Sequence, residues 1–305
     1  MFQVLLVMAG VIALGVLWRK IEVGSAPPDV SRRVLTDFVY YIFLPALVLR
    51  VLWEAPLGWQ TVKIAGIAAA CVLLALWGAS TWYRRRGARP DIAGALILAT
   101  AFPNVTYLGL PVLEATFGPW ARSIAIEYDL FACTPLLLTV GVALARRLGD
   151  ADGDARKTAA LLRIPAVWAA LAAVGLDLFG INMPDWCRSG LDLLGSAVVP
   201  LMLVAVGLSL QWQPPRWELM AAFLPVVVIQ LIAMPMVAWL LGHAIALPPS
   251  LMAPVTLEAG MPSMVLGVVI CDRFNLNTPY YAFAVTLTTL ACIVTLPLWH
   301  AILST

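Results

Sequence analysis

Two apolar stretches of the chain carry polar and ionisable groups where a hydrophobic segment has least reason to hold them. The first reads Ala95-Leu-Ile-Leu-Ala-Thr-Ala-Phe-Pro103-Asn104-Val105-Thr106-Tyr-Leu-Gly109-Leu-Pro111, the second Pro254-Val-Thr-Leu-Glu258-Ala-Gly260-Met-Pro262-Ser263-Met264-Val-Leu-Gly267. Asn104 offers an amide that both donates and accepts, and Thr106 and Ser263 add hydroxyls. Glu258 is a carboxyl in apolar surroundings, costly unless it titrates or holds a cation. Asp129, with Glu127 two positions before it, is a second ionisable group inside an apolar run, and Asp129 is the favoured one of the two. Glu258 and Asp129 are therefore candidates for coupling to protons or Na+. A structural, hydrogen-bonded Glu258 and a purely capping Asn104 are the alternatives.

Each stretch also contains a proline near its middle, which removes a backbone donor and interrupts a helix. At bilayer depth the freed carbonyls and amides must be covered by protein or face a wet cavity. A half-helix that starts after such a break directs free N–H groups and a partial positive charge inward, which suits a carboxylate. Pro103, Asn104, Val105, Thr106, Pro262, Ser263 and Met264 are thus the candidate substrate contacts, and a small organic anion is the expected guest.

The surrounding chain is a membrane protein by composition. Of its residues 62% are hydrophobic and 12% charged, twelve are Trp, and the mean hydropathy is +0.92; a soluble domain is excluded. We read an all-α integral membrane fold of ten spans, roughly 2–18, 34–53, 62–82, 92–117, 123–145, 161–180, 189–210, 219–242, 251–271 and 280–303. The first is expected to be a retained helix, because Arg19 and Lys20 follow it and no basic residue precedes it. Loops one, three and five hold most of the basic residues, Arg84, Arg85, Arg86 and Arg89 among them, while Lys63, Arg122 and Arg188 fall on the other side. That asymmetry places both termini outside the cytoplasm, with a bacterial inner (plasma) membrane as the expected location.

The halves resemble each other. Asp37 to Pro45 in the second span matches Asp192 to Pro200 in the seventh, Gly15 echoes Gly175, and Pro103 pairs with Pro262. A five-span repeat inserts its second copy upside down, so we expect two inverted repeats, residues 1–149 and 161–305, joined by a cytoplasmic linker at 150–160, with the fourth and ninth spans broken and crossing. Asp37 and Asp192 are read as acids that open their helices and complement the dipole. The five cysteines lack metal-type spacing, so neither a metal site nor a cofactor is expected beyond a coupling ion, and nothing in the sequence points to nucleic acid. No HExxH, GxSxG or nucleotide loop is present, so an enzyme is not expected and an intramembrane enzyme or sensor is the weakest reading.

The runs Phe102-Pro103-Asn104-Val-Thr-Tyr-Leu-Gly109-Leu-Pro111, Gly195-Ser-Ala-Val-Val-Pro200-Leu-Met-Leu-Val-Ala-Val-Gly207-Leu-Ser-Leu, and Glu258-Ala-Gly-Met-Pro262-Ser with Phe274-Asn275 resemble the auxin efflux carrier family, which includes bacterial carboxylate permeases. The resemblance implies a fold related to bile acid:sodium symporters. Spans one, two, six and seven would form a scaffold, and spans three to five and eight to ten a transport domain that moves like an elevator. It further implies a secondary transporter with substrate at the proline crossover, Asn104 as a carboxylate contact, and a homodimer paired through the second and seventh spans. Plant members commonly carry Gln where this chain has Glu258, which leans the reading towards cation coupling. A Na+-coupled symporter of bulkier, bile acid-like anions is the alternative within transport.

Overall fold

The computed structural model describes residues 2–21, 26–55, 58–149, 165–210 and 217–304. The expected linker at 150–160 lies outside these residues. Among them all regular structure is helical, apart from a single antiparallel bridge between Pro103 and Ser263. We label the helices α1 (Phe2–Ile21), α2 (Pro28–Trp53), α3 (Trp59–Arg85), α4 (Pro90–Ala101), α5 (Val105–Phe117), α6 (Pro119–Leu148), α7 (Pro165–Leu178), α8 (Asp185–Ser209), α9 (Met220–Ala244), α10 (Pro249–Ala259), α11 (Gly267–Arg273) and α12 (Thr278–Leu303). Six of them, α2, α3, α6, α8, α9 and α12, are long and apolar enough to cross a membrane.

Several helices begin earlier than their apolar edges. Pro28, Pro90 and Pro249 occupy first-turn positions, where the missing N–H would be unbonded in any case and the fixed φ suits the helix. One sequence reading is corrected by this. Asp37 and Asp192 do not open their helices, because α2 and α8 extend back to Pro28 and Asp185. The first-turn acids are Asp29, Asp91 and Asp185, while Asp192 instead forms an ion pair with Arg50 of α2 at 2.8 Å.

The helices pack in two groups. In one, α1 lies along the second half of α8, and α2 packs on α7 and α8. The α1–α8 approach is set by two glycines: a Cβ on Gly15 would stand 3.0 Å from the Gly207 Cα, and a Cβ on Gly207 would stand 2.9 Å from the Gly15 Cα. Only hydrogen at both positions allows the backbones so close. In the other group, α3 packs against α4, α6 and α9, α9 against α10, and α12 against α4, α10 and α11. The groups touch mainly where the start of α5 meets α8 and its end meets α1, and where α2 meets α6.

Five helical stretches widen into π-type turns: Val39–Phe43, Val105–Gly109, Asp129–Cys133, Leu137–Gly141 and Ile229–Ala233. Such turns shift the facing of later side chains and commonly sit at functional positions. Side chains on neighbouring helices reach loosened carbonyls near them. The Trp299 indole donates to Leu231 O at 3.0 Å, and the Cys71 thiol lies 3.7 Å from Met234 O.

Candidate functional site

The two proline breaks meet. After α4 the chain leaves the helix at Phe102 (φ −110°, ψ 105°), because Pro103 supplies no N–H and biases the residue before it towards extended backbone. After α10 it leaves at Gly260. The two extended segments then run antiparallel past each other: the Asn104 N–H donates to Pro262 O at 2.7 Å, and the Met264 N–H donates to Phe102 O at 2.9 Å. Amides and carbonyls freed by one break are thus satisfied by the other, as a buried irregular backbone requires.

Hydroxyl-bearing side chains brace the crossing. The Ser263 N–H donates to Thr288 Oγ1 at 3.1 Å, and that oxygen lies 3.2 Å from Ser263 Oγ. The Tyr281 hydroxyl donates to Met264 O at 2.7 Å, and the Gln230 side-chain amide donates to Met261 O at 2.8 Å. Val105 and Met264 are buried beside the bridge.

Asn104 occupies the position just before α5, but its side chain makes no capping bond. Its backbone carbonyl instead accepts from Leu108 N at 3.2 Å and Gly109 N at 3.0 Å. The residue is 2% exposed, and its side-chain Nδ2 has no hydrogen-bond partner among the described residues. A buried amide without a partner is rare and costs free energy, so the capping alternative does not account for this side chain.

Glu258 is fully buried, and neither carboxyl oxygen has a hydrogen-bond partner among the described residues. It occupies the space left by the missing side chain of Gly109, on the opposite break. Asp129 lies within electrostatic reach of Glu258. Asp129 itself accepts from the Thr106 hydroxyl on one oxygen and from the Thr134 hydroxyl at 2.8 Å on the other. Glu127 faces Thr61 of α3, away from that cluster, because residues two apart on a helix point to different sides.

The structure therefore brings all seven candidate substrate contacts, with Glu258 and Asp129, into one buried cluster. Its polar neighbours Gln230, Thr134 and Thr288 were not singled out from the sequence. For Gln230 the signal was present as a lone polar residue in the apolar run Val226 to Trp239. The threonines gave none, since Thr residues are frequent in such helices, and the role of Gly109 depends on a residue far away in the chain. Beside the cluster an apolar cleft of about 290 Å³ runs between α1 and α12, with Leu108 and Thr289 in its wall.

Comparison with known proteins fits a membrane carrier. The family model described as "Membrane transport protein" matches residues 1–151 and 156–300. A transporter of Methanothermobacter thermautotrophicus, described as uncharacterized, is 28% identical over 296 residues, covering 96% of each chain. The transporter YfdV of Escherichia coli, described likewise, is 24% identical over 238 residues, covering 76% of this chain and 74% of its own. One from Methanocaldococcus jannaschii is 23% identical over 282 residues, 89% of each. With the family model matched along nearly the whole chain, and the crossed proline breaks at its centre, the protein belongs to the membrane transport protein family, that of the auxin efflux carriers.

Proposed function

We propose that the protein is a secondary transporter of a small organic anion, a mono- or dicarboxylate, bound at the crossing of the two breaks. The observation that carries this reading is the unpartnered Asn104 amide beside the first turn of α5. There a buried donor without a partner stands next to a helix start, whose first N–H groups have no carbonyl within the helix to bond, a combination suited to a carboxylate.

In this reading α3 to α6 and α9 to α12 move as a body against α1, α2, α7 and α8. Asn104, Ser263 and Glu258 are closed off from solvent, so a solute reaches them only when the two groups shift. The thin contact between the groups and the apolar cleft at their boundary are in keeping with such a shift. Glu258 and Asp129 take a proton or Na+ as coupling ion, the two broken helices belong to inverted halves, and two copies pair through α2 and α8. The membrane is the bacterial inner membrane, with both termini outside the cytoplasm.

Uptake by purified protein in proteoliposomes tests the reading. Labelled mono- and dicarboxylates should accumulate, with a rate set by a pH or Na+ gradient. Failure to move any carboxylate, with uptake of bulkier amphipathic anions driven by Na+, would favour a symporter of the bile acid type instead.

A further inference from the structure

The arginine-rich end of α3 carries a groove of about 290 Å³ that the transport reading does not use. It is lined by Trp77, Gly78, Thr81, Trp82, Arg85 and Arg86. These residues form two adjacent rows at a spacing of four, 77–81–85 and 78–82–86, so the groove follows one face of the helix. It extends roughly 13 Å along the axis at helical rise. Its polarity changes along that length. At one end Trp77 is 71% exposed, next to the half-buried Gly78, where the Ile229 side chain of α9 stands 3.7 Å from the place a Cβ would take. At the other end the Arg86 guanidinium stacks over Trp82, 4.9 Å from the ring centroid.

Among the described residues the charge at that end has no acidic partner. Arg84, Arg85 and Arg86 are exposed, and none forms an ion pair among the described residues. Arg89, one turn on, differs: it pairs with Asp91 at 3.0 Å. Two guanidiniums, those of Arg85 and Arg86, therefore stand at the mouth of a groove whose other end is apolar and carries the exposed Trp77.

We propose that this groove binds one anionic phospholipid of the surrounding bilayer, with the phosphate held by Arg85 and Arg86 and the upper acyl chain laid along Trp77 and Gly78. A glycerophospholipid has the same change of polarity over the same distance. Guanidiniums match phosphate oxygens in a two-pronged geometry that a lysine does not offer. Basic side chains next to a membrane helix attract anionic lipid, each by about a fivefold gain in affinity. A soluble phosphate would satisfy the arginines alone and leave the exposed Trp77 uncovered.

Lipid retention on the purified full chain, followed by native mass spectrometry and by melting temperature, tests this. Phosphatidylglycerol should remain bound and raise the melting temperature, and phosphatidylcholine of the same chains should do neither. The exposed double substitution Arg85→Gln/Arg86→Gln should weaken phosphatidylglycerol binding by about 25-fold, at fivefold for each arginine, while the melting temperature in detergent alone stays unchanged. Arg32→Gln/Arg33→Gln should leave lipid binding as it is. Equal loss in that control would mean bulk charge and no site. Stabilisation by inorganic phosphate as large as that by phosphatidylglycerol, or equal retention of phosphatidylcholine, would also overturn the proposal.

Discussion

Gly109 and Glu258 face each other across the crossing of the two breaks. A Cβ built on Gly109 would stand 2.7 Å from the Glu258 carboxyl carbon and in contact with both its oxygens. The glycine is required for the room it leaves, since its backbone is ordinary helix (φ −63°). Gly109→Ala should therefore displace the Glu258 carboxylate and reduce carboxylate uptake by on the order of 100-fold, as sub-ångström to ångström misplacements at a site do. The protein should still elute as a folded species. Uptake at the wild-type rate would show that the carboxylate position does not matter to transport.

Asn104 presents a buried donor with no partner among the described residues. Asn104→Ala removes that donor and leaves the backbone bond to Pro262 O intact, since the bond comes from the main-chain N–H. Carboxylate binding, measured by thermal shift or calorimetry, should be lost while the melting temperature without solute stays the same or rises, because an unsatisfied polar group has gone. Unchanged affinity would return the residue to a structural role.

Glu258→Gln keeps shape and burial but can neither release a proton nor offer a full charge to a cation. Solute exchange across the membrane should persist, and its dependence on pH or Na+ should flatten. The test is a comparison of rates across a pH series, with Na+ and then with K+. A profile identical to wild type would remove Glu258 from coupling.

The α1–α8 contact rests on Gly15 and Gly207. Gly207→Val would push α1 away from α8, and overpacking of this kind typically costs about 1–3 kcal/mol. A lowered melting temperature in detergent should report it. Gly190→Val on the same helix, where a Cβ would meet nothing within 4 Å, should leave the melting temperature close to wild type.

Cysteines introduced at Arg86 and Arg188 should label from opposite sides of the membrane. Arg86 belongs to the basic end of α3, and Arg188 to a charge cluster in which Glu54 also pairs with Arg50. An impermeant thiol reagent applied to intact cells should modify the cysteine at 188 and not the one at 86. The opposite pattern would invert the topology.

The sequence by itself settled the membrane class, the places where helices had to fail and the nature of the groups beside those failures. Composition fixes the solvent a chain can tolerate, and proline acts locally whatever surrounds it. Helix starts are less legible, because the first turns at Pro28 and Asp185 lie outside the apolar runs, and the apolar edges alone put Asp37 and Asp192 at the openings of their helices. Only the tertiary structure decided that Asn104 N–H meets Pro262 O, that Glu258 lies against Gly109, and that Asp129 rather than Glu127 turns toward Thr106. Those pairings join residues far apart in the chain, and they depend on how α4, α5, α6 and α10 pack, which no local pattern of residue types specifies.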